Sequence, residues 1–174
     1  MAGLILGCYG FQRSGKTFIA ALISEMLRSK YGYPVYTNIN SKNFMHISSL
    51  NEIPLDKQPK VLLIDEAYMS LDSRDWQKNS GITKFFNTIG KQNILLILTA
   101  PFPDMIEMRV RRQHNYVIFA KGSAKEMRYK IVDMQRQKEK VFAIPKTQEI
   151  FSMVEYDTLD FPEAIEMKFN KIGG

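Results

Sequence analysis

Cysteine occurs once in this chain, as Cys8, tryptophan once, as Trp76, and histidine twice, as His46 and His114. A single thiol excludes an internal disulfide and any cysteine zinc cluster, and it points to a reducing, cytoplasmic setting, that of a host cell if the protein is viral. The two histidines have no partner at metal-ligand spacing, so no zinc site is expected. No segment approaches the ~20 consecutive apolar residues of a membrane span. The first apolar run has no basic stretch ahead of it and leads directly into a loop motif, so no targeting leader is expected. What remains is an ordinary globular composition, 45% hydrophobic and 24% charged over 174 residues, and it predicts a single domain spanning 1–174. Cys8 is expected as a buried strand residue.

Positive charge is present in excess and is unevenly placed. Ten Lys or Arg fall between Arg109 and Lys140 (109, 111, 112, 121, 125, 128, 130, 136, 138 and 140) against the acids Glu126, Asp133 and Glu139, so that segment carries +7 of a total of +6 and the rest is about −1. Clustered positive charge attracts a polyphosphate backbone, and a solvated Lys-rich hairpin gives the same count.

Apolar runs at residues 4–9, 34–39, 61–64, 94–99 and 116–120 read as strands. Between the first two, Ile19, Leu22, Ile23, Met26 and Leu27 recur at helical spacing, and Gly32 and Pro34 end that helix. Runs 61–64 and 95–98 are apolar at every position, as central parallel strands covered on both faces must be. The predicted fold is α/β, a mostly parallel sheet flanked by helices with right-handed crossovers. After Ala120 the pattern changes, and 126–134, 140–144 and 149–156 read as short strands of an antiparallel element. The boundaries are a core of about 3–120 and a β-rich extension of about 121–160.

Gly10-Phe-Gln-Arg-Ser-Gly-Lys-Thr17 has the P-loop pattern between a predicted strand and a predicted helix. Gly10 and Gly15 permit the backbone to turn successive N–H groups inward at phosphates, Lys16 would reach the β- and γ-phosphates, and the Thr17 hydroxyl would ligate Mg²⁺. The expected ATP-binding set is Gly10, Arg13, Ser14, Gly15, Lys16, Thr17 and Phe18. Val61-Leu-Leu-Ile-Asp65-Glu66 supplies a carboxylate pair at a buried strand end, the Walker B arrangement. Asp65 would join Thr17 in the metal shell, and Glu66 would polarise the attacking water. Thr99, at the end of the 94–99 run, is a candidate γ-phosphate sensor or an ordinary strand-end residue. Phe85 and Phe86 are read as core or subunit packing, as is Trp76.

The P-loop, Leu63-Ile-Asp-Glu-Ala67, Asp72-Ser-Arg74 and Asn79, Ile94-Leu-Leu-Ile-Leu-Thr-Ala-Pro101, Asp104-Met-Ile106 with Arg109, and Glu155-Tyr-Asp-Thr158 occur in this order. The chain so built resembles the FtsK/HerA superfamily of RecA/ASCE-like P-loop ATPases, and within it the viral genome-packaging ATPases and the Zot-like proteins of filamentous phages. The resemblance spans about residues 3–160. It implies a homo-oligomeric ring that hydrolyses ATP with Mg²⁺ and translocates or packages double-stranded DNA, with a portal or capsid component as a further partner. Relatives usually carry Gln after the sensor Thr, where this chain has Ala100-Pro101. A ring motor also needs a cation from the neighbouring subunit. Arg74 ranks first for that role, with Lys91 and Arg109 as alternatives and Arg111 and Arg112 nearby.

Two other readings remain open. One is a nucleoside or nucleotide kinase: P-loop thymidine kinases share the Asp-Glu-Ala run but usually carry a cysteine zinc site. The other is an assembly or export ATPase of the filamentous-phage kind.

Overall fold

In the computed structural model the described residues are 3–71, 80–156, 162–167 and 169–171. The chain begins β1 (Leu4–Tyr9), α1 (Lys16–Tyr31), β2 (Val35–Thr37), β3 (Met45–His46), β4 (Lys60–Ile64). It continues through α2 (Ser80–Lys91) and β5 (Ile94–Ala100) to a one-turn α3 (Met108–Arg111). Last come β6 (Tyr116–Gly122), β7 (Glu126–Asp133), β8 (Lys138–Pro145) and the short α4 (Gln148–Ser152).

The eight strands form one sheet in the order β3-β2-β4-β5-β1-β6-β7-β8. Strands β1 to β6 pair in parallel, and β7 and β8 are added antiparallel. The all-apolar strands are explained by their two covered faces. Leu62 and Ile64 of β4 point into a cluster with Ile82, Phe85, Phe86 and Ile89 of α2. Val61 and Leu63 point the other way, into a cluster with Phe18, Ile19, Ala20 and Ala21 of α1. Every residue of β4 and of β5 is therefore buried, each Leu or Ile contributing roughly 1.5–3 kcal/mol. Phe85 and Phe86 lie in the core, and so does Cys8, whose thiol burial pushes well above its ordinary pKa. Ile165, Met167 and Phe169 of the C-terminal segment join the α2-side cluster.

α1 starts at Gly15, in the left-handed region with φ 92°, and ends at Gly32 with φ 71°, whose N–H donates to the Arg28 carbonyl. Both glycines are where a side chain would be strained. The sequence-predicted strand over 34–39 is shorter, Val35–Thr37, and that over 116–120 runs on to Gly122. The expected strand at 149–156 is a correction: residues 148–152 are helical. Thr147 caps this turn by accepting from the Ile150 N–H at 3.2 Å, and Glu149 lies in the first turn, so local capping starts a helix where the apolar content alone suggests a strand. Only Tyr156 of that stretch bridges, antiparallel to Ser41.

Candidate functional site

The register of the parallel strands brings the chemistry to their carboxyl ends. Cys8 of β1 lies opposite Thr99 of β5, and Ile64 of β4 lies opposite Leu98, so Asp65 and Thr99 follow side by side next to the P-loop. Ligand sites of open α/β sheets occupy this edge.

The Asp65 carboxylate is the centre of the arrangement. Its Oδ1 accepts from Thr17 Oγ1 at 2.8 Å and from Thr99 Oγ1 at 2.6 Å. Thr99 Oγ1 also accepts the Glu66 N–H at 3.0 Å, so this fully buried hydroxyl joins both acids of the pair. Burial pushes the Asp65 carboxyl above its usual range, opposed by the two hydroxyl donors. Glu66 adopts a left-handed conformation, φ 49°, sparsely populated by non-glycine residues. That turn ends the strand and brings Glu66 Oε1 to 3.1 Å from Lys16 Nζ.

Asn38, just after β2, was not singled out by sequence. Its Oδ1 accepts the Asp65 N–H at 2.8 Å, and its Nδ2 donates to the Asp65 carbonyl at 3.0 Å and to the Glu163 carbonyl at 2.9 Å. Both polar groups of the Asp65 backbone are thus held by one side chain. A lone Asn after a three-residue strand carries no spacing signal, and only the fold puts it beside Asp65.

The loop itself is tightly enclosed. The Gly10 N–H donates to the carbonyls of Ala100 and Pro101. A Cβ on Gly10 would lie 2.4 Å from Ser14 Oγ and 2.5 Å from the Ala120 carbonyl, so this close approach requires glycine. Ser14 Oγ is buried with no hydrogen-bond partner among the described residues. Ile19 N–H makes an early intrahelical bond, to the Gly15 carbonyl at 3.0 Å, so the N–H groups of residues 16–18 precede it and point out of the helix start. The first turn of α1 has no acidic residue and no side-chain cap, leaving its positive end to an anion.

The other sequence candidates are placed as follows. The Phe18 side chain is in the core against Phe151, ring centroids 5.3 Å apart, so only its backbone belongs to the loop. Arg13 is exposed, at φ 62°. Lys91 is exposed at the end of α2, just before β5, at the opposite end of the sheet from Thr99. Arg109 Nε lies 3.3 Å from Glu107 Oε1, and Glu107 caps α3. Arg74, with Asp72 and Asn79, lies outside the described residues, as does Trp76. Phe11, 71% exposed in the loop, packs edge-to-face on Phe102, ring centroids 5.1 Å apart. A groove of about 470 Å³ runs beside the loop, lined among others by Gln12, Arg13, Lys121, Ser123 and Lys146.

The ten basic residues of 109–140 do not form one stripe. Strand alternation puts Lys121, Arg128 and Lys130 on one face of the β6–β7–β8 hairpins, and Lys138 and Lys140 on the other. Arg128 pairs with Glu126, and Lys130 with Glu139 at 2.6 Å.

No protein-family model matches the chain, and no curated protein sequence matches it. Solved structures do. The N-terminal domain of zonular occludens toxin from Neisseria meningitidis superimposes with a TM-score of 0.62 at 16% identity, covering 89% of this chain and 100% of that one. B204, the DNA-packaging ATPase of Sulfolobus turreted icosahedral virus, gives 0.62 at 15% identity over 80% and 97%. B204 from Sulfolobus turreted icosahedral virus 2, a genome-packaging NTPase in complex with ATP-gammaS, gives 0.57 at 12% over 80% and 96%. At these identities the likeness is one of fold: the chain has the α/β P-loop NTPase fold that the zonular occludens toxin domain and the B204 packaging ATPase share.

Proposed function

We propose that this protein is an ATPase that moves or packages double-stranded DNA as a homo-oligomeric ring. The observation that carries this reading is the convergence of Lys16, Thr17, Asp65, Glu66 and Thr99 at one end of the sheet beside a helix start stripped of competing acids. The residues fit the groups expected there. The Ser14 hydroxyl, buried without a partner among the described residues, is a donor suited to a phosphate oxygen. The Thr17 hydroxyl and Asp65 carboxylate, 2.8 Å apart, form an all-oxygen pair suited to Mg²⁺, which when bound neutralises phosphate charge.

In this reading Lys16 and the N–H groups of residues 15–18 hold the phosphate chain of ATP, with Gly10, Arg13 and Ser14 shaping the loop around it. Lys16 is drawn from Glu66 to the phosphates, leaving the Glu66 carboxylate to orient water and accept its proton. Thr99 keeps Asp65 and the Glu66 backbone in place and is the candidate γ-phosphate sensor. The core of about 3–120 carries this chemistry, and the extension of about 121–160 bears basic residues for DNA phosphates, which need positive charge but no particular sequence. Arg74 supplies the trans-acting cation, ahead of Lys91 and Arg109. Exposed Phe11 and Phe102 give the mouth of the site an apolar surface for a neighbouring subunit. A viral setting would place the ring in host cytoplasm against a portal or capsid component. Among the described residues no helix is long and apolar enough to cross a membrane.

The test is phosphate release from ATP with and without double-stranded DNA at low salt, where attraction to DNA is least screened. Release stimulated by DNA supports the motor. A phosphorylated nucleoside and ADP formed with a nucleoside acceptor, without free phosphate, mean a kinase, and phosphate release indifferent to DNA means an ATPase of assembly or export. Mixing inactive Arg74→Ala and Glu66→Gln chains should restore activity if Arg74 acts across an interface.

A further inference from the structure

The residue that holds the P-loop from behind comes from the antiparallel extension. Tyr129 of β7 is fully buried, and its hydroxyl donates to the Gly15 carbonyl at 3.0 Å across 114 residues of sequence. The same carbonyl accepts the Ile19 N–H at 3.0 Å. Met127, two residues earlier on the same face, places its sulfur 3.3 Å from the Tyr129 hydroxyl. The fit leaves no space: a Cβ on Gly15 would lie 2.6 Å from both Met127 Sδ and Tyr129 OH, and a Cβ on Gly122 would lie 2.6 Å from the Arg13 carbonyl.

The reason for such a support lies in the helix start. Most helices are held at their N-terminus by a Ser, Thr, Asp or Asn side chain that accepts from the second or third N–H. A P-loop cannot use that device, because the cap would occupy the donors a phosphate needs. Gly15 accordingly has no side-chain cap. A hydrogen bond to the Gly15 carbonyl restrains the same peptide from its opposite side and leaves its N–H groups to the ligand.

We propose that Tyr129 is a positioning residue for the P-loop, its hydroxyl fixing the peptide between Gly15 and Lys16 so that the N–H groups at the start of α1 stay aimed at a bound phosphate chain. The inference rests on the reading that this loop binds nucleotide phosphates. It gives the extension a role at the site that its basic charge does not suggest. Burial raises the Tyr129 pKa, so the hydroxyl remains a donor across the working pH range.

The experiment uses the full chain and calorimetric titration with inorganic pyrophosphate and with ADP. Tyr129→Phe keeps the ring and removes the donor, and both Kd values should rise about 3- to 10-fold, the worth of one net hydrogen bond. KM for ATP should rise by the same factor with kcat unchanged, because the hydroxyl acts on ground state and transition state alike. Phe142→Leu loosens packing against the same ring, whose centroid lies 5.4 Å away, while keeping the hydroxyl. It should lower Tm without changing either Kd. Unchanged Kd in Tyr129→Phe, or an equal loss of affinity in Phe142→Leu, overturns the proposal while leaving the nucleotide reading intact. A wild-type chain that binds neither pyrophosphate nor ADP removes the nucleotide reading, and the role of Tyr129 with it.

Discussion

The parallel half of the sheet and the antiparallel extension treat their side chains differently. In β4 and β5 every residue is buried, whereas six of the eight residues of β8 are exposed. A strand covered on both faces has no room for polar groups except at its ends. The acid pair accordingly stands just past the end of β4, at the carboxyl edge of the sheet, where Asp65 accepts from Thr17 and Glu66 pairs with Lys16 of the P-loop. A strand open on one face can carry charge along that face, as β7 does with Arg128 and Lys130, exposed in alternation with the buried Met127 and Tyr129. The same strand β7 sends Tyr129 inward to the loop. The buried half confines polar chemistry to its edge, and the open half leaves charged side chains exposed to solvent.

Substitutions can break this contrast at several levels. Lys16→Ala should have the largest effect, weakening ATP binding on the order of 100-fold or more by removing charge-assisted hydrogen bonds to phosphate; calorimetry reads it directly. In the core, Leu63→Ala should cost about 2–5 kcal/mol of stability through the cavity it leaves, measured by denaturant unfolding. Asn38→Ala should cost about 2–3 kcal/mol, since the buried Asp65 N–H loses its partner. It should also lower turnover at temperatures well below its Tm, because the Asp65 backbone is no longer held by the Asn38 amide.

A smaller effect depends on pH. His114 is buried between Tyr9 and Val110: its Nε2 is 2.7 Å from the Tyr9 hydroxyl, and its Nδ1 is 3.0 Å from the Val110 carbonyl. Burial, aided by the nearby Arg111, lowers its pKa. The unfolded chain therefore binds the proton more readily, and stability should fall as pH drops below the ordinary histidine value of about 6.5. One proton limits the slope to about 1.4 kcal/mol per pH unit, and His114→Gln should flatten it in thermal melts. The smallest effect belongs to the open half: Val141→Thr, at a position 64% exposed, should stay within about 0.5 kcal/mol of wild type. A loss as large as that of Leu63→Ala would show that β8 is covered in solution and end the contrast.

The parts legible in the sequence are those governed by local pattern. The P-loop spacing, the continuous apolar runs of β4 and β5 and the Gly32 stop all act through nearest neighbours, and each leaves its mark in the order of residues. Asn38 and Tyr129 act through contacts 27 and 114 residues away in sequence, and neither has a local signature. The stretch 149–156 is rich in apolar residues, but they come in pairs, 150–151 and 153–154, rather than alternating, and Thr147 and Glu149 favour a helical turn at its start. The charge count of 109–140 was visible, yet its division between two faces depends on the register of β6, β7 and β8.

The hydrolytic role of the site turns on one comparison: ATP affinity and steady-state phosphate release, measured together for the wild type and Glu66→Gln. In the proposed reading Glu66 acts on water and not on the bound phosphates, so Kd for ATP should change little while turnover falls roughly 10²- to 10⁴-fold, the span of a lost general base. Turnover unchanged in Glu66→Gln, or affinity lost as completely as in Lys16→Ala, would contradict the assignment of Glu66 as the base.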